Sequence, residues 1–323
     1  MYSGKRIILD CDPGHDDAIA ILLAAKHLDV LGITTVHGNQ SLERVTRNAL
    51  KVLEFSGLTH IPVIPGMARP LAQEPRHAPE IHGESGLDGP SLPEPSLSPH
   101  PGHAVDFIID TVMSTEGVTL VATAPLTNIA VALLREPRIS ERIHGIFLMG
   151  GSLTTGNSTA VAEFNIWCDP EAAHIVFTSG IPIKMVGLNL TRQAEAGRQE
   201  IERIRSLGNR TGRIVADLLD FYSARLNALF GLAGGSLHDP CAVAWLIDPT
   251  LIEAREMHVA IELHGELTRG MTVCDARHLR VDGLAIARVE GIRRGKQPNA
   301  EVGLRLEVTR FFDLLIKTLS TYP

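Results

Sequence analysis

The chain has 323 residues, 44% of them hydrophobic and only 4% aromatic, and a formal net charge of −7. That length allows one large domain or two small ones; the scarcity of aromatics points to a β-branched and Leu/Ala core, and the negative balance argues against nucleic acid as a partner. Cys11, Cys168, Cys241 and Cys274 lie far apart without CxxC spacing, which speaks against a zinc site or a disulfide framework. No apolar run is long enough to span a membrane and no leader precedes the first strand, so the expectation is a soluble cytoplasmic protein without membrane contact.

Arg6-Ile7-Ile8-Leu9 reads as a buried strand and Ala18 to Ala25 as a buried helix, with Pro13-Gly14 turning between them. Leu31 to Val36 is a second strand, Ser41 caps a helix to about Phe55, and Ile61 to Ile64 is a short third strand. A helix over Ala104–Met113 precedes a strand over Val118–Ala122. Pro125 opens a helix through Leu134, and a strand from Ile143 stops at Gly150-Gly151. Asp169-Pro170-Glu171 is a helix start, with a cap, a proline at the first helical position and an acid in the first turn. Ile183 to Val186 is another strand; Ile214 to about Phe230 is helical; strand-like pieces follow near 257–263 and 303–309, then a helix from about Phe311. The alternation predicts an α/β fold, an open, mainly parallel sheet with helices on both faces. With no repeat or linker visible, a single domain over 1–323 is expected. Residues 65–101 carry nine prolines and break the pattern, which reads as a functional loop, a mobile lid that brings His82 to the site.

Asp10, Asp12, Asp16 and Asp17 place four carboxylates within eight residues, at the carboxyl end of the first strand and the start of the first helix. That edge of an open α/β sheet is where ligands bind. Acids so close must be solvated, protonated or bound to a cation, and oxygen donors suit Ca²⁺ or Mg²⁺. Asp16 and Asp17 alone could be favourable acids at a helix N-terminus; Asp10 and Asp12, ending an apolar strand, have no such reading. Asn39, Thr123, Glu163, Asn165 and Asp239 follow other strands or glycine loops. Each alone could be a turn residue, an edge hydroxyl, a solvated acid or a cap, but together they recur at one sheet edge. His238, beside Asp239, is a candidate general acid.

Several stretches resemble the inosine-uridine nucleoside hydrolase family, in order and in spacing: Asp10-Cys11-Asp12-Pro13-Gly14-His15-Asp16-Asp17-Ala18, Gly38-Asn39-Gln40, Ile81-His82-Gly83-Glu84, Pro125-Leu126-Thr127-Asn128, Leu148-Met149-Gly150-Gly151, Ala162-Glu163-Phe164-Asn165, Asp169-Pro170-Glu171 and His238-Asp239-Pro240. The resemblance spans essentially the whole chain. It implies hydrolysis of the N-glycosidic bond of purine or pyrimidine ribonucleosides to ribose and free base. It also implies one Ca²⁺ held by Asp12, Asp17, the Thr123 carbonyl and Asp239. By the same resemblance Asp12 is the general base toward a metal-bound water, and Asp16, Asn157, Glu163 and Asn165 hold the ribose hydroxyls with Asn39 close by. His82 and His238 stand on the base side, Asp10 supports the motif, and a homo-tetramer or dimer is implied. No nucleophilic Ser or Cys is needed, because a carboxylate-lined cleft favours an oxocarbenium-like ribosyl cation and direct displacement.

The helix before the glycine loop departs from the family's pyrimidine-preferring members, with Phe230 where a Tyr is expected and Leu226 where a Gln is. An apolar distal wall of that kind offers few hydrogen-bond donors to a pyrimidine carbonyl and leaves the nucleobase preference open, while His238 could assist a departing purine. Two other readings compete. Asp10-x-Asp12 is similar to the haloacid-dehalogenase-type phosphotransferases, although Asp16-Asp17 is foreign to them. A non-catalytic Ca²⁺-binding protein is the other, although an EF-hand is excluded because Ile21 stands where the bidentate acid is needed.

Overall fold

The computed structural model describes residues 5–277 and 296–323. β1 (Arg6–Cys11) lies inside a nine-stranded sheet. Ile7, Leu9 and Cys11 belong to the apolar cluster on one face and Ile8 to the cluster on the other. Successive side chains of a strand point to opposite faces, so a strand covered on both sides reads as one continuous apolar run.

The chain then alternates through α1 (His15–His27), β2 (Asp29–Thr35), α2 (Leu42–Ser56), β3 (Val63–Pro65), the single turn α3 (Pro79–His82), α4 (Ala104–Ser114), β4 (Val118–Ala122), α5 (Thr127–Arg135) and β5 (Gly145–Met149). Two short helices follow, α6 (Phe164–Cys168) and α7 (Pro170–Phe177), and then β6 (Ile183–Val186). These six strands are parallel, in the order β6-β5-β4-β1-β2-β3. The chain winds outward from β1 through β2 and β3, then returns to β4 on the other side of β1. The crevice at the carboxyl ends of β1 and β4 is therefore a topological switch point, where such sheets take their ligands.

The remaining elements are α8 (Leu188–Thr191), β7 (Glu195–Ala196), α9 (Arg198–Arg205), α10 (Arg210–Phe230), β8 (Gly235–Ser236), α11 (His238–Ile247), β9 (Ile252–Ile261), β10 (Thr272–Asp275), β11 (Ala300–Leu306) and α12 (Val308–Leu319). β11 joins the sheet parallel to β6, while β9 and β10 extend it antiparallel. The mainly parallel α/β sheet read from the alternation is the one observed. No helix among the described residues is long and apolar enough to cross a membrane.

Some boundaries differ from the sequence reading. α1 begins at His15 rather than Ala18, because Asp17 folds back to accept from the Gly14 N–H at 3.0 Å and closes the first turn. This puts Asp16 and Asp17 inside the helix. The last strand ends at Leu306 and α12 starts at Val308, earlier than expected from Phe311. The charged helix α9 and the two-residue strands β7 and β8 carry too few apolar residues to announce themselves.

Residues 65–101 contain α3 and little other regular structure, but polar anchors hold them down. Leu71 N–H donates to Asp169, the Gln73 amide to the Trp167 and Cys168 carbonyls, Ala78 N–H to the Asn39 carbonyl, and the Ser96 and Leu97 amides to Glu54. His82 is already buried at the site, so no closure is needed to bring it there.

Candidate active site

The acids gather where β1, α1, β4 and α11 meet. Asp10 is buried on β1, where its Oδ1 accepts from Thr34 Oγ1 at 2.6 Å and Asn128 Nδ2 at 2.7 Å while Oδ2 has no partner among the described residues. Burial lifts its pKa to about 7. The two hydrogen bonds tie the end of β1 to β2 and α5.

Asp12 follows β1. Its Oδ2 accepts from the Asn39 N–H at 2.6 Å, and its buried Oδ1 has no partner among the described residues. A methyl group on Gly38 would overlap this carboxylate, so glycine lets the turn after β2 pass against Asp12 in its present position. Asn39 also donates through Nδ2 to the Asp12 carbonyl at 3.1 Å and to Asp17 Oδ2 at 3.3 Å, bridging the two acids. Asp17 Oδ1 accepts from Thr123 Oγ1 at 2.8 Å. The Thr123 carbonyl accepts from Asn165 Nδ2 at 3.1 Å.

Asp16, Asp17 and Asp239 are all buried, and each offers an oxygen within 4.8 Å of the others. The sequence reading grouped Asp12 with Asp17 and Asp239 and gave Asp16 to the ribose; here Asp16 completes the tightest trio and Asp12 stands beside it. The cause is α11, whose first amides draw the Asp16 carboxylate toward Asp239. Burial, reinforced by the neighbouring acids, holds Asp12 and Asp239 well above the ordinary carboxylate range. Asp17 is pushed to about 7 by burial and by Asp16. Asp17 and Asp239 are in hydrogen-bond contact, which without a cation requires a shared proton. Buried charges of one sign, an orphan carboxylate oxygen and donors that are all oxygen fit a hard divalent cation.

Glu163 caps α6. Its Oε1 accepts from the Asn165 N–H at 2.9 Å, and its Oε2 from the Gly151 and Ile166 amides at 2.9 and 3.2 Å. Burial nevertheless lifts its pKa to about 7. Asn165, the next residue but one, ties the Thr123 and Met149 carbonyls together. Asn157 is exposed on the loop before α6, where its Oδ1 accepts from the Phe164 N–H at 2.9 Å.

A cavity of about 790 Å³ opens over the acids and is lined by Asp16, Asn39, His82, Thr123, Asn157, Glu163, Asn165, Phe230, His238 and Asp239. Every substrate-side residue expected from the sequence therefore reaches one space. Phe230 does so from the rim, 61% exposed at the end of α10. His238 is half-buried at the cavity wall; its Nδ1 lies 2.7 Å from Thr191 Oγ1, and desolvation pushes its pKa below the ordinary value.

Sequence reasoning missed three contributors. His15 sits inside the quoted signature and packs against His82. Tyr222, one turn before Leu226 on α10, lines the cavity with its ring buried, and its hydroxyl has no hydrogen bond to the described residues. Arg76 stacks on Trp167 at 3.9 Å at the mouth. The i, i+4 spacing of Tyr222 and Leu226 put Tyr222 on the same face of the helix, and was the signal available for it.

A cavity of this size over buried acids at the switch point of a parallel sheet marks an α/β ligand site, and the chain belongs to the inosine-uridine preferring nucleoside hydrolase family, whose profile matches residues 7–313. It is a ribonucleoside hydrolase by that membership. It is 47% identical over 322 residues to the pyrimidine-specific ribonucleoside hydrolase RihA of Shewanella baltica, covering 98% of this chain and 97% of the relative. The RihA of Escherichia coli is 45% identical over 320 residues, covering 98% of each. Among solved structures, the purine-preferring ribonucleoside hydrolase from Gardnerella vaginalis superposes with a TM-score of 0.87 at 33% identity, covering 98% of each chain.

Proposed function

We propose that this enzyme hydrolyses pyrimidine ribonucleosides to ribose and free base, using a Ca²⁺ ion. The observation that carries the base preference is the 47% identity over nearly the full chain to a pyrimidine-specific hydrolase, against 33% to the purine-preferring structure. The wall at Leu226 and Phe230 offers a pyrimidine carbonyl no donor; the Tyr222 hydroxyl, in the same cavity, supplies one.

Asp12, Asp17, Asp239 and the Thr123 carbonyl would hold the ion, with Asp16 in ligand range. Such an ion supplies Lewis acidity toward water and the ribose diol. Asp12 is the base. Its Oδ2 is fixed by Asn39, which leaves the unpartnered Oδ1 to take a proton from the attacking water. Glu163, Asn165 and Asn157 present oxygens and amides to the ribose hydroxyls, and the surrounding carboxylates favour the cationic character that develops on the ribose as the bond to the base breaks. His238 reaches the base side from the start of α11, with its Nδ1 occupied by Thr191, and assists the leaving base through Nε2.

The test is a panel of uridine, cytidine, inosine and adenosine followed for free ribose, with added Ca²⁺ and with chelator. Uridine and cytidine should turn over fastest, and chelation should abolish release. Release from none of the four sinks the hydrolase reading; faster release from inosine sinks the pyrimidine preference.

A further inference from the structure

His15 and His82 form a hydrogen-bonded pair under the cavity. His15 Nε2 lies 2.8 Å from the Asp88 carbonyl, and the two Nδ1 atoms lie 3.0 Å apart. Their rings are stacked with centroids 5.3 Å apart, and Tyr222 stacks on both at 5.5 and 5.6 Å. His82 lines the cavity, and its Nε2 has no hydrogen bond to the described residues.

A carbonyl can only accept, so His15 must carry its proton on Nε2 toward Asp88. A neutral His15 then offers a bare Nδ1. Two nitrogens 3.0 Å apart need one proton between them, and His82 must supply it from its own Nδ1. Neutral His82 is left with a bare Nε2. Burial supports that neutrality, lowering the pKa of His82 to about 3. One contact competes, the His15 backbone N–H, 3.4 Å from His82 Nδ1 and longer than the ring-to-ring bond.

We infer that the Asp88–His15–His82 chain fixes His82 as a hydrogen-bond acceptor toward the nucleobase, so that the pocket selects bases that turn an N–H to it. His15 is a positioning residue in this scheme: it acts by setting the tautomer of His82. An acceptor at His82 beside the donor hydroxyl of Tyr222 matches an N–H next to a carbonyl, the pattern of the uracil imide edge. In that tautomer His82 cannot give the departing base a proton, which separates its role from that of His238. The inference deepens the nucleoside hydrolase reading and rests on it for the identity of the ligand.

Two measurements test it. Long-range ¹H–¹⁵N correlation spectra of the histidine-labelled protein should show His82 protonated at Nδ1. Finding the proton on Nε2 overturns the inference, whatever the protein hydrolyses. The second uses His15→Phe, which keeps a stacking ring but removes the nitrogen. With the acceptor chain broken, one hydrogen bond to the base is lost, and the selectivity for uridine over nitrophenyl riboside, whose leaving group has no N–H, should fall about tenfold. A parallel fall for both substrates would mean that His15 is merely structural, and an unchanged ratio would remove the proposed recognition. Absence of turnover in the wild type with both substrates would refute the hydrolase reading instead, and the spectra would still decide the tautomer.

Discussion

Asp16 caps a helix that lies more than two hundred residues away. Its Oδ2 accepts from the His238 N–H at 3.1 Å and the Asp239 N–H at 3.3 Å, whereas Leu237, the residue preceding α11, has no side-chain oxygen to offer. The first amides of a helix carry partial positive charge, so an acid from α1 completes α11 and brings Asp239 into range of Asp17. Asp16 thus has two separable effects. Asp16→Asn keeps an oxygen for the amides but removes a charge from the buried trio. In chelator its melting temperature should equal or exceed that of the wild type, while the rise on adding Ca²⁺ should shrink. Asp16→Ala also loses the cap and should cost about 1 kcal/mol. Melting curves with and without Ca²⁺ check this; an Asn variant that melts well below wild type in chelator contradicts it.

Asp12→Asn should lower turnover by about 10²–10⁴-fold or more, since loss of a general base alone has that effect. Single-turnover release of ribose from uridine is the measurement. Turnover near the wild-type rate would place the base elsewhere.

Gly38→Ala should act on the same carboxylate without touching it chemically. The added methyl overlaps Asp12 and must swing its oxygens off the Asn39 N–H. Displacement of a reacting group by about 1 Å costs on the order of 10²-fold in rate. Kinetics on uridine, beside circular dichroism to confirm folding, should show that fall; unchanged kcat would mean that Asp12 does not need its present position.

Stability without a cation should fall as pH rises. Asp10 and Asp17 move from 3.8, and Glu163 from 4.5, to about 7 in the folded protein. Between those values the folded chain binds more protons than the unfolded one, and stability then declines with pH. The contribution of these groups is complete below about 4 and is lost through about 7. Melting temperature in chelator should therefore drop from pH 5 to pH 8, and Ca²⁺ should flatten the slope. A rise across that window would show that the acids are paired in some other way.

How much was legible from the sequence depended on whether the signal was local. β1 and its acids announced themselves because a short apolar run that ends in two acids suits a buried strand opening onto a ligand site and little else, and the parallel sheet followed from alternation. Asp239 stood out as an acid after a glycine loop, but its grouping with Asp16 did not, because the hydrogen bonds that join them cross the whole chain. His15 has the look of a spacer between Gly14 and Asp16; only the tertiary approach of Asp88 and His82 gives it work. Tyr222 was hidden because the departures from the family pattern fall at Leu226 and Phe230, whereas the helical turn puts the useful hydroxyl four residues before Leu226. α9 buries only Ile201 and Ile204, and two apolar residues among charges make a weak pattern.

The strand order also sets a timetable for synthesis. β1 is made before the other strands of the sheet and lies inside it, two strands from the β3 edge, and by residue 186 six parallel strands have been made. α11, which packs against α1 and carries Asp239, emerges some fifty residues later. Through that interval six of the sheet's nine strands are in hand while the flank of α1 that α11 covers has no partner, the kind of exposed apolar surface that is prone to aggregate. The acid trio is completed only then, since Asp16 and Asp17 precede Asp239 by more than two hundred residues.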